Sequence, residues 1–127
     1  MLPDKVSAII IRDKKILLVT GGNHPFFWTP GGKIEPTESH ETAMARELQE
    51  ELCLSVLSMR SYLEYTTINE ATGKKQNVHC YLVQYIGEIF PDHEITTYGW
   101  FFKEELPVVT QGIKNHILPK LLHDGLL

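Results

Sequence analysis

Apolar residues follow two periods along this chain, and the change from one period to the other predicts its elements. Runs rich in β-branched and aromatic residues predict strands at residues 6–11, 16–20, 56–68, 76–87 and 96–102. Polar residues at 12–15 and at 69–74 separate two pairs of these strands, as in hairpins. Helical spacing predicts a central helix at 39–52 and a closing helix from about residue 111, which Pro119 should kink or shorten.

The central helix carries two flanks of opposite character. Its apolar stripe consists of residues that share one side of the helix: Met44, Ala45, Leu48 and Leu52. The other flank carries glutamates at spacings of three and four: Glu47, Glu50 and Glu51. Ala43 lies on this acidic flank, where a small side chain leaves room for a ligand. Thr37 and Ser39 are the candidate N-caps. The helix is therefore expected to bury one flank and to present the other.

The acidic flank predicts a metal site. Carboxylates this close together repel one another unless a positive charge lies between them. Mg²⁺ suits such an all-oxygen set, because it binds through a few carboxylates and shares itself with substrate phosphates. Directly upstream, residues 28–32 form a turn that ends in Gly31 and Gly32, where backbone can approach a ligand closely. Together these features predict metal-dependent chemistry on a diphosphate.

The spacing of this segment resembles the signature box of the Nudix hydrolases, a family that cleaves a nucleoside diphosphate linked to another group. The positions that match are Gly32, Glu38, Arg46, Glu47, Leu48, Glu50, Glu51 and Leu54. Cys53 stands where the family has glycine, and Thr37 replaces a glycine that is common before the first Glu. The short chain looks MutT-like. The resemblance implies an α/β Nudix fold, a mixed β-sheet sandwiched between α-helices, as a single domain over residues 1–127.

The resemblance also implies roles for individual residues. The expected metal ligands are Glu47, Glu50, Glu51, the carbonyl of Gly31, and Glu94. Glu94 is included because it precedes Trp100 by six residues, as a metal-binding or catalytic Glu does in MutT-like members. Mg²⁺ is the expected cofactor, with Mn²⁺ as a substitute.

The expected catalytic residues are Glu38, Arg46, Glu47 and Glu50. Glu47 is predicted to be the general base or a bridging ligand, with Glu94 as the alternative base. Arg46 and Glu38 are expected to fix the carboxylate face and the loop before it. The residues predicted to contact substrate are Gly31, Gly32, Phe27 and Asn115.

Composition narrows the class of partner. The chain has 127 residues, 43% of them hydrophobic and 22% charged, which is ordinary for one globular domain. A formal charge of −4 provides no basic patch for polymeric nucleic acid. The sequence shows no membrane-length apolar run and no signal peptide, and two cysteines make no disulfide framework. We therefore expect a cytoplasmic monomer or homodimer that acts on a small-molecule nucleotide.

The substrate depends on residues outside the box. Glu70 stands where ADP-ribose hydrolases of the family often have a proline. Tyr62 and Tyr65 come too early in the chain for the tyrosine of a dinucleoside polyphosphate hydrolase. The coenzyme A and NADH patterns of the family are missing. The favoured prediction is hydrolysis of a purine nucleoside triphosphate, ordinary or oxidised, to the monophosphate and pyrophosphate, with Asn115 reading the purine. The alternatives are hydrolysis of ADP-ribose, a nucleotide sugar or a dinucleoside polyphosphate, or a non-catalytic nucleotide sensor. The complete set of box glutamates favours an enzyme.

Overall fold

The computed structural model describes residues 2–127. Its seven strands in that range are β1 (Asp4–Ile9), β2 (Ile11–Arg12), β3 (Lys15–Thr20), β4 (Gly31–Lys33), β5 (Ser55–Ile68), β6 (Lys75–Ile86) and β7 (Thr97–Phe101). The helices are α1 (His40–Leu52) and α2 (Leu118–His123), with a 3₁₀ turn at Lys103–Glu105 and a π-helical turn at Ile113–Ile117. The predicted strands and both predicted helices are present. The bounds of α1 and of the later strands differ from the prediction by one residue, whereas the first predicted strand is divided. The closing helix predicted from about residue 111 is a helical run whose regular part, α2, begins only at Leu118.

The strands form two sheets. One has the order β4-β1-β6-β5 and is mixed, because β1 runs parallel to β6 while the other pairs are antiparallel. The second has the order β2-β3-β7 and is antiparallel. The single strand predicted at 6–11 is divided at Ile10, so that the chain passes from the first sheet into the second. The β2–β3 turn places Asp13 and Lys14 at positive φ, as a tight hairpin requires.

Alternation along the central strands supplies two hydrophobic cores. Val6, Ala8 and Ile10 belong to the core beneath α1, whereas Ile9 belongs to the core beneath the closing helical segment. On β3 the same division separates residues 17 and 19 from residues 16 and 18. The sheets therefore lie between helices, which confirms the predicted α/β architecture.

Helix α1 buries a stripe that differs in one residue from the prediction. Met44, Leu48 and Leu52 are fully buried in the first core, as predicted. The fourth member is Ala43, which is also fully buried, whereas Ala45 is exposed. The prediction for Ala45 was wrong because the buried stripe follows the i, i+4 row of Met44, Leu48 and Leu52. Ala43 borders this row on the side of the glutamates and is buried with it.

Both ends of α1 are capped. Ser39 is the N-cap, and its side chain accepts a hydrogen bond of 3.1 Å from the Thr42 N–H. At the other end Cys53 adopts a left-handed conformation with φ of 59°. The N–H of Cys53 donates to the Gln49 carbonyl, and the N–H of Leu54 donates to the Leu48 carbonyl. This closure is the type that glycine favours, although the residue is cysteine.

The closing segment is interrupted, as Pro119 predicted. Residues 113–117 form a π-helical turn, and Pro119 occupies the first turn of α2, where its missing N–H costs little. Ile113, Ile117 and Leu121 are buried in the second core, but Leu122 remains 47% exposed. Among residues 2–127, no helix has the length and apolar character needed to cross a membrane.

Candidate active site

Carboxylates from two distant parts of the chain converge in the structure. One oxygen each of Glu47, Glu51 and Glu94 lies within 4.8 Å of the other two. Glu47 and Glu51, from α1, are 8% and 2% exposed, while Glu94, from the loop before β7, is exposed. A compact set of carboxylate oxygens is the donor set that Mg²⁺ and Mn²⁺ prefer. These residues therefore fit the metal that the sequence predicts.

Burial makes the two helix carboxylates costly to ionise. Burial raises the pKa of Glu51 to about 9, although a hydrogen bond from the Gly31 N–H opposes the shift. Burial also raises the pKa of Glu47, against a hydrogen bond from Arg46 that lowers it. Carboxyl groups in this situation hold a proton unless a cation takes its place. A bound divalent cation would let both side chains carry their charge.

Two glycines let the backbone of β4 lie against these carboxylates. The Gly31 N–H donates a hydrogen bond of 3.1 Å to Oε1 of Glu51. Gly31 has φ of +139°, and a Cβ there would overlap the carbonyl of Val6. A Cβ on Gly32 would lie 2.6 Å from the carboxylate of Glu47. The predicted turn is thus a short edge strand whose missing side chains create the space for the acidic cluster.

Arg46 fixes the positions around the cluster. Its guanidinium forms two hydrogen bonds of 2.7 Å to the carboxylate of Glu38, in a fork, and one of 2.8 Å to Oε1 of Glu47. It also donates to the carbonyl of Lys33 at 3.0 Å. The hydrogen bonds from Arg46 lower the pKa of Glu38 to about 2. Arg46 therefore connects the helix to the loop before it, the geometry that its predicted supporting role requires.

Glu50 occupies a different position from the other box glutamates. Its carboxylate lies 3.5 Å from the Arg46 guanidinium, and its side chain is 41% exposed. It is not part of the group formed by Glu47, Glu51 and Glu94. Its predicted roles as a metal ligand and catalytic residue remain predictions, and the one ion pair that its carboxylate forms within residues 2–127 is with Arg46.

The loop that carries Glu94 is anchored on both sides. The Asp92 N–H donates to the carbonyl of Glu51, and the Thr96 N–H donates to the carbonyl of Thr20 at 3.0 Å. Ile95 is 2% exposed and packs in the first core. A Cβ on Gly21 would overlap the carbonyl of Glu94, so the two segments touch through backbone. An exposed carboxylate is thereby held beside the buried pair.

The three carboxylates open onto a pocket of about 490 Å³. Gly31 and Gly32 line it, as predicted for substrate contact. Phe27 does not line it, because its ring packs against Phe101 in the second core with centroids 5.5 Å apart. Phe26 lines the pocket in its place. Asn115 lies exposed on the π-helical turn, outside the residues that line the pocket.

The far wall of the pocket joins the β5–β6 hairpin to the closing segment. Tyr65 on β5 stacks on His116, with ring centroids 4.4 Å apart and planes at 10°. A Cβ on Gly112 would lie 2.5 Å from the Tyr65 hydroxyl, so a glycine is needed for this approach. In the hairpin loop, Glu70 accepts a hydrogen bond from the Gln111 N–H. These contacts join the hairpin to the closing segment beside the pocket, which Tyr65, Glu70 and Gly112 line.

The floor of the pocket contains polar residues that the sequence reasoning missed. Ser7 is buried, and its hydroxyl lies 2.5 Å from the hydroxyl of Thr29. Lys5 lies two residues earlier on the same face of β1 and also lines the pocket. Burial lowers the pKa of Lys5, and the negative charges of Glu51 and Glu47 oppose that shift. Polar Lys5 and Ser7 alternate with apolar Val6 and Ala8, a pattern that could have indicated a polar face on this strand. The prediction missed it because the predicted strand began at residue 6.

Comparison with known proteins decides the family. A family model described as the NUDIX domain matches residues 1–121. The chain is a Nudix hydrolase. Its curated relatives include the CTP pyrophosphohydrolase of Escherichia coli (strain K12), 34% identical over 106 residues that cover 79% of this chain and 76% of the relative. The 8-oxo-dGTP diphosphatase of Proteus vulgaris is 31% identical over 94 residues, 73% of this chain and 62% of the relative.

A solved structure agrees with the fold. The crystal structure of a MutT NUDIX hydrolase from Burkholderia pseudomallei superposes with a TM-score of 0.80 at 27% identity, covering 90% of this Nudix hydrolase and 94% of that chain. The MutT-like Nudix fold and a Nudix-type pyrophosphohydrolase activity on nucleotide derivatives follow from these matches.

Proposed function

We propose that this Nudix hydrolase cleaves nucleoside triphosphates to the monophosphate and pyrophosphate in a reaction that depends on Mg²⁺. The observation that carries the proposal is the group of Glu47, Glu51 and Glu94 at the wall of a pocket of about 490 Å³. A pocket of this size holds a small molecule. Two relatives have names that specify nucleoside triphosphates as substrates, CTP and 8-oxo-dGTP.

The base is left open in this proposal. The purine preference predicted from the sequence depended on Asn115, and that side chain lies outside the pocket walls. Neutral polar side chains do line the pocket near the hairpin and can hydrogen-bond a base: Thr67, Gln76 and Thr110. These residues support binding of a nucleobase without selecting a purine or a pyrimidine.

The carboxylates and Arg46 have different proposed roles in the reaction. Glu47, Glu51 and Glu94 would hold the cation, which would neutralise the phosphate oxygens and lower the pKa of a water molecule. Arg46 fixes one oxygen of Glu47, so this carboxylate would keep a defined orientation either as the general base that takes the proton of the attacking water or as a bridging ligand. Glu94 is the alternative base, because it is exposed beside the same group. Glu38 holds Arg46 in place through its forked hydrogen bonds.

A panel of substrates at saturating Mg²⁺ tests the proposal. It should contain ordinary and oxidised purine triphosphates, pyrimidine triphosphates, ADP-ribose, a nucleotide sugar and a dinucleoside tetraphosphate, with products separated by ion-exchange chromatography. We expect at least one triphosphate to give the monophosphate and pyrophosphate with the highest kcat/KM. A preference of more than about tenfold for ADP-ribose, the nucleotide sugar or the tetraphosphate would refute the substrate class. Release of inorganic phosphate in place of pyrophosphate would refute the cleavage position.

A further inference from the structure

Lys5 is the least exposed of the lysines that line the pocket, and no part of the reaction described above uses it. It is half-buried, whereas Lys33, Lys74 and Lys75 are exposed. Strand β1 fixes its backbone from both sides, since Lys5 pairs with Lys33 on β4 and with Val78 on β6. Because its side chain is also partly buried, it has fewer positions open to it than the exposed lysines, and less entropy to lose on contact with a ligand.

Lys5 lines the same pocket as Glu47, Glu51 and Glu70 but forms an ion pair with none of them. The carboxylates of Glu51, Glu47 and Glu70 all act on it. Within residues 2–127 its ammonium nevertheless takes part in none of the ion pairs. A buried ammonium costs free energy unless something negative contacts it. Lys5 is half-buried, and a negatively charged group bound in the pocket would give its ammonium such a contact.

A lysine beside a cation site has opposite effects on the two charged ligands. Its positive charge repels a divalent cation held by Glu47, Glu51 and Glu94, so it weakens metal binding. The same charge attracts phosphate oxygens, which extend from the metal into the pocket in any nucleotide substrate. A residue that only stabilised the fold would not separate these two effects.

We propose that Lys5 is a substrate-binding residue whose ammonium contacts a phosphate oxygen of the nucleotide on the pocket side of the Glu47–Glu51–Glu94 group. This inference rests on the proposed function, because it requires a phosphate-bearing substrate. It adds a specific contact from β1, an element outside the signature box. Phosphate and carboxylate groups on a ligand would both satisfy the ammonium, and the nucleotide supplies the former.

The test is Lys5→Met, which keeps the length of the side chain and removes the charge. We expect kcat/KM for the best substrate of the panel to fall by about tenfold or more, the loss expected for one charged hydrogen bond. We expect the affinity for Mn²⁺ without nucleotide, measured by electron paramagnetic resonance, to increase. Lys5→Arg keeps the charge and should retain most of the activity. Lys103→Met, at an exposed position outside the pocket walls, removes the same charge and should change neither quantity.

The outcomes separate this inference from the proposed function. The substrate class is tested by the wild-type panel alone. The role of Lys5 is tested by the kcat/KM of Lys5→Met relative to wild type, measured on the best substrate of that panel. A kcat/KM within about twofold of wild type would overturn the inference. So would a fall in both Mn²⁺ affinity and activity together with a lower Tm, since that pattern means a structural role. Lys5→Gln replaces the Met variant if the latter does not fold, with the same expected signs.

Discussion

Glu51 illustrates at the level of a single residue how this site differs from an ordinary acidic helix face. A solvated glutamate would be exposed, but Glu51 is 2% exposed, and its burial raises the pKa to about 9. A side chain so placed destabilises the metal-free protein in its charged form. Burial of this kind is expected where a cation or a proton compensates the charge. The i, i+3, i+4 spacing showed that the glutamates share a face, but it could not show which of them would be buried.

The first prediction concerns Glu51→Gln. Glutamine resembles the protonated acid, and its oxygen can still accept the hydrogen bond from the Gly31 N–H, so the metal-free fold should keep its Tm. Turnover should fall by at least about a hundredfold because a principal ligand is lost. Steady-state kinetics and thermal unfolding measure the two effects. Glu41→Gln, an exposed position in the first turn of the same helix, is the control and should behave as wild type. Activity within about threefold of wild type at saturating Mg²⁺ would exclude Glu51 as a ligand.

The second prediction gives the pH dependence of metal binding. The pKa of Glu51 rises from 4.5 to about 9 on folding. Its contribution to the stability of the metal-free protein is therefore complete below about 4.5 and is lost as pH rises through about 9. Metal binding must displace this proton, so Mn²⁺ affinity should rise with pH across the same interval, by up to about tenfold per unit. Calorimetric titrations at several pH values measure the slope. The increase of log affinity for Mn²⁺ per pH unit should be smaller in Glu51→Gln than in wild type. An equal increase in both proteins would mean that the displaced proton comes from another group.

At the level of elements, β4 and the ends of α1 determine where the glutamates lie. The sequence predicted α1 almost residue for residue, because helical spacing and the Ser39 cap are local signals. It did not predict that residues 31–33 would pair with β1, because a three-residue edge strand with two glycines has no local pattern. Gly31 and Gly32 were predicted to let backbone approach a ligand, and that contact stays a prediction; in the structure they bring backbone close to Val6, Glu47 and Glu51.

The third prediction compares the two glycines of β4. Gly31→Ala should destabilise the protein by about 2 kcal/mol or more, because its φ of +139° and its overlap with the Val6 backbone both oppose a side chain. The nearest atoms to a Cβ on Gly32 are those of the Glu47 carboxylate, which can give way by weakening its hydrogen bond from Arg46. Gly32→Ala should therefore change stability by less than about 1 kcal/mol and lower turnover by about tenfold or more. Urea unfolding and kinetics on both variants measure the contrast. Equal losses of stability would show that Glu47 cannot move.

The fourth prediction concerns the C-terminal end of α1. Cys53 has the left-handed conformation that glycine adopts without strain, with φ of 59°. Cys53→Gly should therefore be neutral or stabilising by up to about 1 kcal/mol, and activity should be preserved. Cys53→Ala is the matched control, because it removes the thiol while keeping the Cβ. A clear loss of stability in both variants would mean that packing of the sulfur outweighs the conformational strain, whereas loss in the glycine variant alone would place the effect in the unfolded chain.

At the level of the whole molecule, the pocket is formed by segments that are far apart in the sequence. Its walls come from β1, the segment around Trp28, the β5–β6 hairpin and the start of the closing segment. The box was predictable because its residues lie on one helix and the turn before it. Lys5, Tyr65 and Gly112 were not, because each becomes part of the site only through the pairing of β1 with β6 and the docking of the closing segment. Glu94 was placed by the family resemblance, and its position beside Glu47 and Glu51 is a tertiary property.

The last prediction follows from this assembly. A cation held by Glu47, Glu51 and Glu94 would join α1 to the loop before β7, so it would bind the folded chain and not the unfolded one. Mg²⁺ should therefore raise the Tm, with a stabilisation of about 2.7 kcal/mol when its concentration is a hundred times Kd. Differential scanning calorimetry measures the rise in Tm, and constant ionic strength excludes a contribution from salt screening of surface charges. Glu94→Gln should need at least about ten times more Mg²⁺ for the same shift. Glu88→Gln, an exposed glutamate outside the pocket walls, should match wild type. A normal response in Glu94→Gln would remove Glu94 from the metal site, and no response in the wild type would exclude the site itself.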